Sequence, residues 1–413
     1  MLRAVTTPSP LASAERDRRL LTAAGFVRAT NTSVVGITLG VHLGRLGLHG
    51  APLGAVISAG LGGAALAAIG ATLFADRVGK RRFLLGLTGL SVLGTLLFAI
   101  SRSPLSLAAA AFVGMLNGMG KDRGAALIVE QAAIPSTTTD AGRTRAIATY
   151  TMLQDLGHAL GAVLAGVPAW LAASTGALSQ VDHDATFLAC AAASALSLVL
   201  YARVGRSIEM PVAPARVRIS PASRKILTRI SALFAVDSLA GGFLTTAMMS
   251  YFFFERFGVH EGTIGLLFFG ARLMNAASHL GAAFLASRIG LVNTMVFTHI
   301  PSSLLLMTVA WAPNFPVAAA LFLLREGLVE MDVPTRQSYV LAVVAPEERT
   351  FASGITNLVR VSAWAVAPAF AGALMTGDSM HLPLVVGGAM KIVYDVLLYR
   401  AFRNLRPPEE LRV

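Results

Sequence analysis

Apolar residues in this chain come in long unbroken runs. They show neither the alternation of a half-buried strand nor the two-sided pattern of a soluble helix. Ala51–Phe74 holds no charge, Phe83–Ser101 is a second such run and Ala185–Ala202 a third. A helix needs about 20 apolar residues to cross a bilayer, while barrel strands are about ten alternating residues. The pattern predicts twelve helical spans, at 20–41, 51–74, 83–101, 105–133, 146–171, 185–203, 230–254, 262–286, 293–311, 317–344, 351–375 and 382–399. The fold class expected is an all-α integral membrane protein.

Composition excludes the soluble alternatives. Hydrophobic types make up 55% of the 413 residues and charged types only 14%, against about 25% in a soluble domain. The same balance excludes disorder. One cysteine, Cys190, lies in an apolar run, so neither a disulfide nor a zinc cluster is available. The stretch before the first span is polar, and that span is too long for a signal-peptide core.

The net charge of +12 suggests nucleic acid until its distribution is considered. With both termini on one side, that side collects 23 of the 34 Lys and Arg. The densest clusters are Arg77, Lys80, Arg81 and Arg82, then Arg203, Arg206, Arg216, Arg218, Arg224, Lys225 and Arg229. The other side has Arg45, Arg102 and Arg256. The positive-inside rule puts both termini in the cytoplasm of a multi-pass protein of the cell membrane. Topology thus accounts for the basic excess, and no nucleic-acid partner is expected.

A shift of 211 residues superposes Arg45, Gly47, His49 and Gly54 on Arg256, Gly258, His260 and Gly265. It also superposes Ala75, Arg77 and Gly79 on Ala286, Arg288 and Gly290, and Pro135 on Pro346. At a shift of 206, Arg143, Thr144, Ala146 and Gly166 meet Arg349, Thr350, Ala352 and Gly372. Spans 1–6 and 7–12 are therefore two parallel copies. The expected layout is an N-tail (1–19), a six-helix bundle (20–203), a central loop (204–224), a second bundle (225–400) and a C-tail (401–413). Parallel repeats of this kind bind substrate near the midplane and rock about it.

The loop after span 2, Thr72-Leu-Phe-Ala-Asp76-Arg77-Val-Gly79-Lys80-Arg81-Arg82, resembles the major facilitator signature Gly-x-Leu-Ala-Asp-Arg-x-Gly-Arg-Arg/Lys. Thr72 stands where the family has glycine. The resemblance implies two pseudo-symmetric six-helix bundles, alternating access, and a gate at Asp76, Arg77, Gly79 and Arg81. Gly114-Met-Leu-Asn117-Gly118-Met-Gly120 and Gly157-His-Ala-Leu-Gly161-Ala162-Val-Leu-Ala165-Gly166 partly match the helix-4 and helix-5 motifs of proton-coupled exporters. The first lacks the arginine and the second the proline.

Charges inside spans are costly and mark function by default. Eight cations (Arg28, Lys121, Arg123, Arg272, Arg325, Arg336, Arg360, Lys391) face eight anions (Asp122, Glu130, Asp155, Asp237, Glu326, Glu330, Asp332, Asp395). Most should be paired. Spans 4 and 10 read as continuous helices with Lys121 and Asp332 at equivalent depth, across a cavity, and a kink at Pro334. Asp332 with Arg336, and Lys391 with Asp395, are four apart and can pair on one face; the second pair is expected to be structural. His158, near Asp155, is expected to be a packing residue.

Proton coupling is expected at Asp122, then Asp155, Asp237 and Glu130. The expected substrate cavity holds Arg28, Asn31, Lys121, Arg123, Arg272, Glu330, Asp332 and Arg336. Trp170 and Trp311 read as interfacial anchors. No ATP-binding loop, catalytic constellation, metal site or cofactor motif occurs. The function expected is proton-driven export of a small organic solute by a monomer whose other partners are protons and membrane lipids. The alternatives are uptake of an organic anion, with Arg28, Arg123, Arg272 and Arg336 as binding groups, and a sensor that no longer transports.

Overall fold

The computed structural model describes residues 10–174, 183–209, 219–345 and 348–403. All regular structure among them is helical and forms twelve spans. The first half holds span 1 (Pro10–Arg45), span 2 (Ala51–Val78), span 3 (Lys80–Ile100), span 4 (Pro104–Gly114, then Ala125–Ala133), span 5 (Asp140–Leu164, then Val167–Ser174) and span 6 (His183–Arg203). The second holds span 7 (Pro221–Gly242, then Thr246–Phe257), span 8 (Glu261–Ile289), span 9 (Leu291–Val309), span 10 (Phe315–Val329, then Asp332–Ala342), span 11 (Arg349–Leu374) and span 12 (Leu382–Phe402). By length and apolarity alone, eight of these can cross a membrane. The other four are spans 1, 4, 8 and 10. They carry the internal charges described below or are interrupted beside them.

The chain termini differ from expectation. Span 1 runs back to Pro10, so Arg16, Arg18 and Arg19 sit on helix rather than in a tail. Span 7 begins at Pro221, which puts Arg224 and Lys225 in its first turns. Arg216, Arg218 and Pro346 lie outside the described residues. The start of the central loop is pinned to the first half. Asp17 accepts hydrogen bonds from the Gly205 amide (2.8 Å) and the Ser207 hydroxyl (2.5 Å).

Spans 4 and 10 are not the continuous helices expected. Span 4 stops at Gly114 and resumes at Ala125. Met115 (φ 52°) and Gly120 (φ 66°) both take left-handed backbone there. Four glycines in eleven residues (Gly114, Gly118, Gly120, Gly124) make that conformation cheap. The Asn117 side chain replaces part of the lost ladder, accepting from the Met119 amide (2.9 Å) and donating to the Lys121 carbonyl (2.9 Å). Unwound backbone at membrane depth survives only where protein or a cavity satisfies it. In span 10 the break falls at Glu330–Met331, ahead of Pro334. Pro334 then stands in the first turn of a new helix, where its missing amide costs nothing.

The duplication is visible in the backbone. Gly47 and Gly258 have φ of 77° and 64°, and Gly79 and Gly290 have 98° and 84°. The halves meet through equivalent glycines. A Cβ on Gly54 of span 2 would lie 2.2 Å from the Pro368 carbonyl of span 11. A Cβ on Gly265 of span 8 would lie 2.4 Å from the Ala162 carbonyl of span 5. A Cβ on Gly40 of span 1 would lie 2.0 Å from the Ala247 carbonyl of span 7. These contacts all fall toward the face opposite the termini. Arg45 (3.0 Å) and His183 (2.8 Å) of the first half also reach Glu261 of the second there. Asp155 of span 5 and His279 of span 8 are electrostatic neighbours, and both are exposed.

Candidate functional site

A cavity of about 130 Å³ lies between the halves. Seven cations line it, Lys121, Arg123, Arg272, Arg325, Arg336, Arg360 and Lys391, against four carboxylates, Asp237, Glu326, Glu330 and Asp332. Its polar side chains come from spans 4, 7, 8, 9, 10, 11 and 12, with His299 and Trp364 among them.

The unwound segment of span 4 forms one wall and is stitched to the second half residue by residue. Three successive carbonyls are bonded across: Gly118 to the Ala247 amide (3.0 Å), Met119 to the Thr246 hydroxyl (2.8 Å) and Gly120 to Arg272 (2.9 Å). Lys121 Nζ then reaches Glu330 (2.6 Å) and Asn275 (2.9 Å). Lys121 and Asp332 do line one cavity, but the partner of Lys121 is Glu330. The Arg123 guanidinium stacks 4.8 Å from the Trp364 ring.

Asp122, between those two, turns back into the first half. Arg28 of span 1 donates to Asp122 Oδ2 (2.7 Å) and Glu130 Oε2 (2.5 Å). Glu130, fully buried, also accepts from the hydroxyls of Tyr150 (2.5 Å) and Tyr201 (2.7 Å). Two carboxylates thus share one guanidinium. His158 Nε2 accepts the Asp122 amide proton (2.8 Å), which is the packing role expected of it.

The second half carries the inverse arrangement. Asp237 of span 7 is a carboxylate held by two cations, Arg336 (3.3 Å) and Lys391 (3.0 Å). Arg336 also pairs with Asp332 four residues back (2.5 Å), as the spacing implied. Lys391 does not pair with Asp395. It reaches Asp237 and His299 Nε2 (3.2 Å), while Asp395 holds the other ring nitrogen of His299 (3.0 Å). Helical spacing gives same-helix neighbours only, and here partners on spans 7 and 9 are preferred.

Other expected site residues fall elsewhere. Arg28 and Asn31 do not line the central cavity. They border a second one of about 100 Å³ inside the first half, where Asn31 donates to Ser194 (3.0 Å). Asp155 is exposed on span 5, beside Lys121 and Arg272. Among the described residues, the ion pair of Asp76 and the hydrogen bond of Arg81 stay within the first half. Asp76 pairs with Lys80 (2.8 Å) and its side chain is 55% exposed. Arg77 is exposed, and Arg81 donates to the Ala202 carbonyl (2.6 Å). Glu209 of the central loop caps span 3 just beyond Gly79, accepting the amides of Lys80 (2.8 Å) and Arg81 (3.0 Å). An anion at a helix N-terminus is stabilised by the unpaired amides there.

Two six-span bundles around a charged midplane cavity define a secondary carrier. The sequence model of the Major Facilitator Superfamily matches residues 21–323 and 230–413. The chain belongs to that superfamily. It is a multi-pass membrane transporter and not an enzyme. It is 25% identical over 420 residues to the uncharacterized membrane protein YJR124C of Saccharomyces cerevisiae, covering 93% of this chain and 94% of that one. Among solved structures it resembles a bacterial homolog of the human lysosomal transporter Spinster, inward-facing and occupied (TM-score 0.75, 14% identity, 96% and 98% of the two chains). It also resembles the D-xylose–proton symporter (TM-score 0.71, 14% identity, 94% and 97%).

Proposed function

We propose that the protein takes up a small organic anion together with protons, by alternating access between a cytoplasm-open state and its reverse. The excess of seven cations over four carboxylates on the cavity lining carries this reading. It favours an anion over a cation. The exporter-like glycines have a packing explanation. A Cβ on Gly157 or Gly161 would strike the backbone of span 1, at 2.8 Å and 2.2 Å. On the same span, Gly166 faces Gly262 of span 8.

Charge bookkeeping ties uptake to protons. An inside-negative potential expels each unit of negative charge by about 2.3 kcal/mol per 100 mV, so import of an anion needs accompanying protons and export does not. The Arg28–Asp122–Glu130 cluster has one carboxylate more than it has cations, and a proton there would neutralise it. The termini are assigned to the cytoplasm from the basic clusters, so the face closed by the Gly54 and Gly265 contacts is read as the outer one. That agrees with the inward-facing likeness. In liposomes, an inside-alkaline gradient should drive accumulation of carboxylates or phosphate esters, and neutral sugars and amines should stay out. Gradient-driven expulsion of cationic or neutral solutes would instead establish export.

Asp76 is read as a gate that acts in the opposite state, since its ion pair here stays within the first half. Asp76→Asn should lower turnover about tenfold and leave substrate affinity within twofold. Flux and equilibrium binding on the same preparation check this, and unchanged turnover removes the gate.

A further inference from the structure

Four of the seven cavity cations have a carboxylate partner: Lys121 with Glu330, Arg325 with Glu326, Arg336 with Asp332 and Asp237, and Lys391 with Asp237. Among the described residues, Arg123, Arg272 and Arg360 have none. Arg123 and Arg360 converge on one aromatic ring, with guanidinium carbons 4.8 Å and 4.7 Å from the Trp364 centroid. Arg360 spends Nε on the Ser238 hydroxyl (3.2 Å), and among the described residues Arg123 makes no side-chain hydrogen bond. Arg272 gives Nη2 to the Gly120 carbonyl and keeps a buried Nε with no partner.

Two guanidiniums held against one indole repel each other, while the ring attracts each by about 0.5–2 kcal/mol. The arrangement becomes favourable when an anion bridges the forks, because charge-assisted bonds to carboxylate or phosphate oxygens are roughly twice as strong as neutral ones. Arg123 belongs to the first half and Arg360 to the second. An anion between them therefore ties the halves together. One negative charge would leave two of the three unpaired cations uncompensated, and two charges leave one.

We propose that the site is built for a divalent organic anion, a dicarboxylate or a phosphate monoester, with one anionic group clasped between Arg123 and Arg360 beside Trp364. This rests on the reading of the cavity as an anion site and adds the charge of the substrate and the residues that select it.

Trp364 is itself the reporter. Purified protein is titrated at fixed ionic strength with succinate, butyrate, glycerol 3-phosphate, glycerol and chloride. Emission is read as wild type minus Trp364→Phe, with melting temperature followed in parallel. Succinate or glycerol 3-phosphate should change Trp364 emission saturably, at a midpoint at least tenfold below that of butyrate or chloride. Arg123→Gln and Arg360→Gln, still folded by their melting curves, should each raise that midpoint at least tenfold. Equal midpoints for succinate and butyrate, or an Arg360→Gln titration that matches wild type, overturn the divalent clasp and leave the anion reading standing. If no anion alters emission or melting while glycerol does, the anion reading itself falls.

Discussion

Asp122→Asn is expected to fold, to bind substrate and to lose at least a hundredfold of its gradient-driven accumulation. Breaking a buried ion pair ordinarily costs about 3–5 kcal/mol, because a charge is left without a partner. Arg28 escapes that penalty, since Glu130 holds the same guanidinium at 2.5 Å. The asparagine oxygen can keep the bond that Asp122 Oδ1 accepts from the Gly124 amide (3.2 Å). On the proposed proton-coupled reading, what is lost is the carboxyl that would carry the proton. Asp122 also sits between Lys121 and Arg123, whose side chains contact the second half. A change at Asp122 is thereby passed to the cavity through a segment with no helical ladder to resist it. Melting temperature should fall by a few degrees at most, and exchange of substrate without a gradient should persist. Arg28→Gln is the contrasting variant: it leaves two carboxylates facing each other and should lose expression. If Asp122→Asn accumulates substrate with the wild-type dependence on the gradient, the coupling carboxylate is another, and Asp155, exposed on span 5, is next to test.

How much of this was legible in the sequence follows from the range of each signal. Apolar runs are local, so spans 2, 3 and 6 fall close to where the pattern puts them. The repeat is a long-range signal carried by identity, and it singled out Gly54 with Gly265 and Gly166 with Gly372, which pack where the halves meet. The break in span 4 was hidden, because a glycine-rich stretch reads equally as close helix packing and as unwound chain. Pro334 drew attention to the wrong turn of span 10 for the same reason. Pairings between spans could not be read at all: nothing in the sequence tells Lys391 to prefer Asp237 on span 7 over Asp395 on its own helix. Trp364, Arg360 and His299 were missed as cavity residues. The faint signal for two of them was an arginine one turn from a tryptophan on an otherwise apolar helix. Tyr150 and Tyr201 were missed too, although a buried phenol requires a polar partner and both find Glu130.

Gly54→Ala is expected to abolish transport by preventing the closure seen here, and Gly265→Ala to do the same from the other side of the pseudo-symmetry axis. A methyl group on Gly54 would sit 2.2 Å from the Pro368 carbonyl and 3.0 Å from Gly372 Cα. These are backbone atoms that cannot rotate away, so spans 2 and 11 must separate. Separation also breaks the bond from the Ala369 amide to the Ser58 hydroxyl (2.8 Å). The carrier should then rest with the face opposite its termini open, and turnover should fall below about one hundredth of wild type while the protein remains folded. Gly62→Ala on the same helix is the control, because its nearest neighbour is the Phe112 ring at 3.9 Å. Cys190 is the only cysteine and is buried, so a Cys190→Ala background carrying Ser58→Cys gives a single reporter. In intact cells an impermeant maleimide should label that position slowly in the parent and in Gly62→Ala, and at least tenfold faster in Gly54→Ala and Gly265→Ala. Equal labelling in all four, with transport retained, would mean that the halves close without these glycines and that the contact is incidental to the cycle.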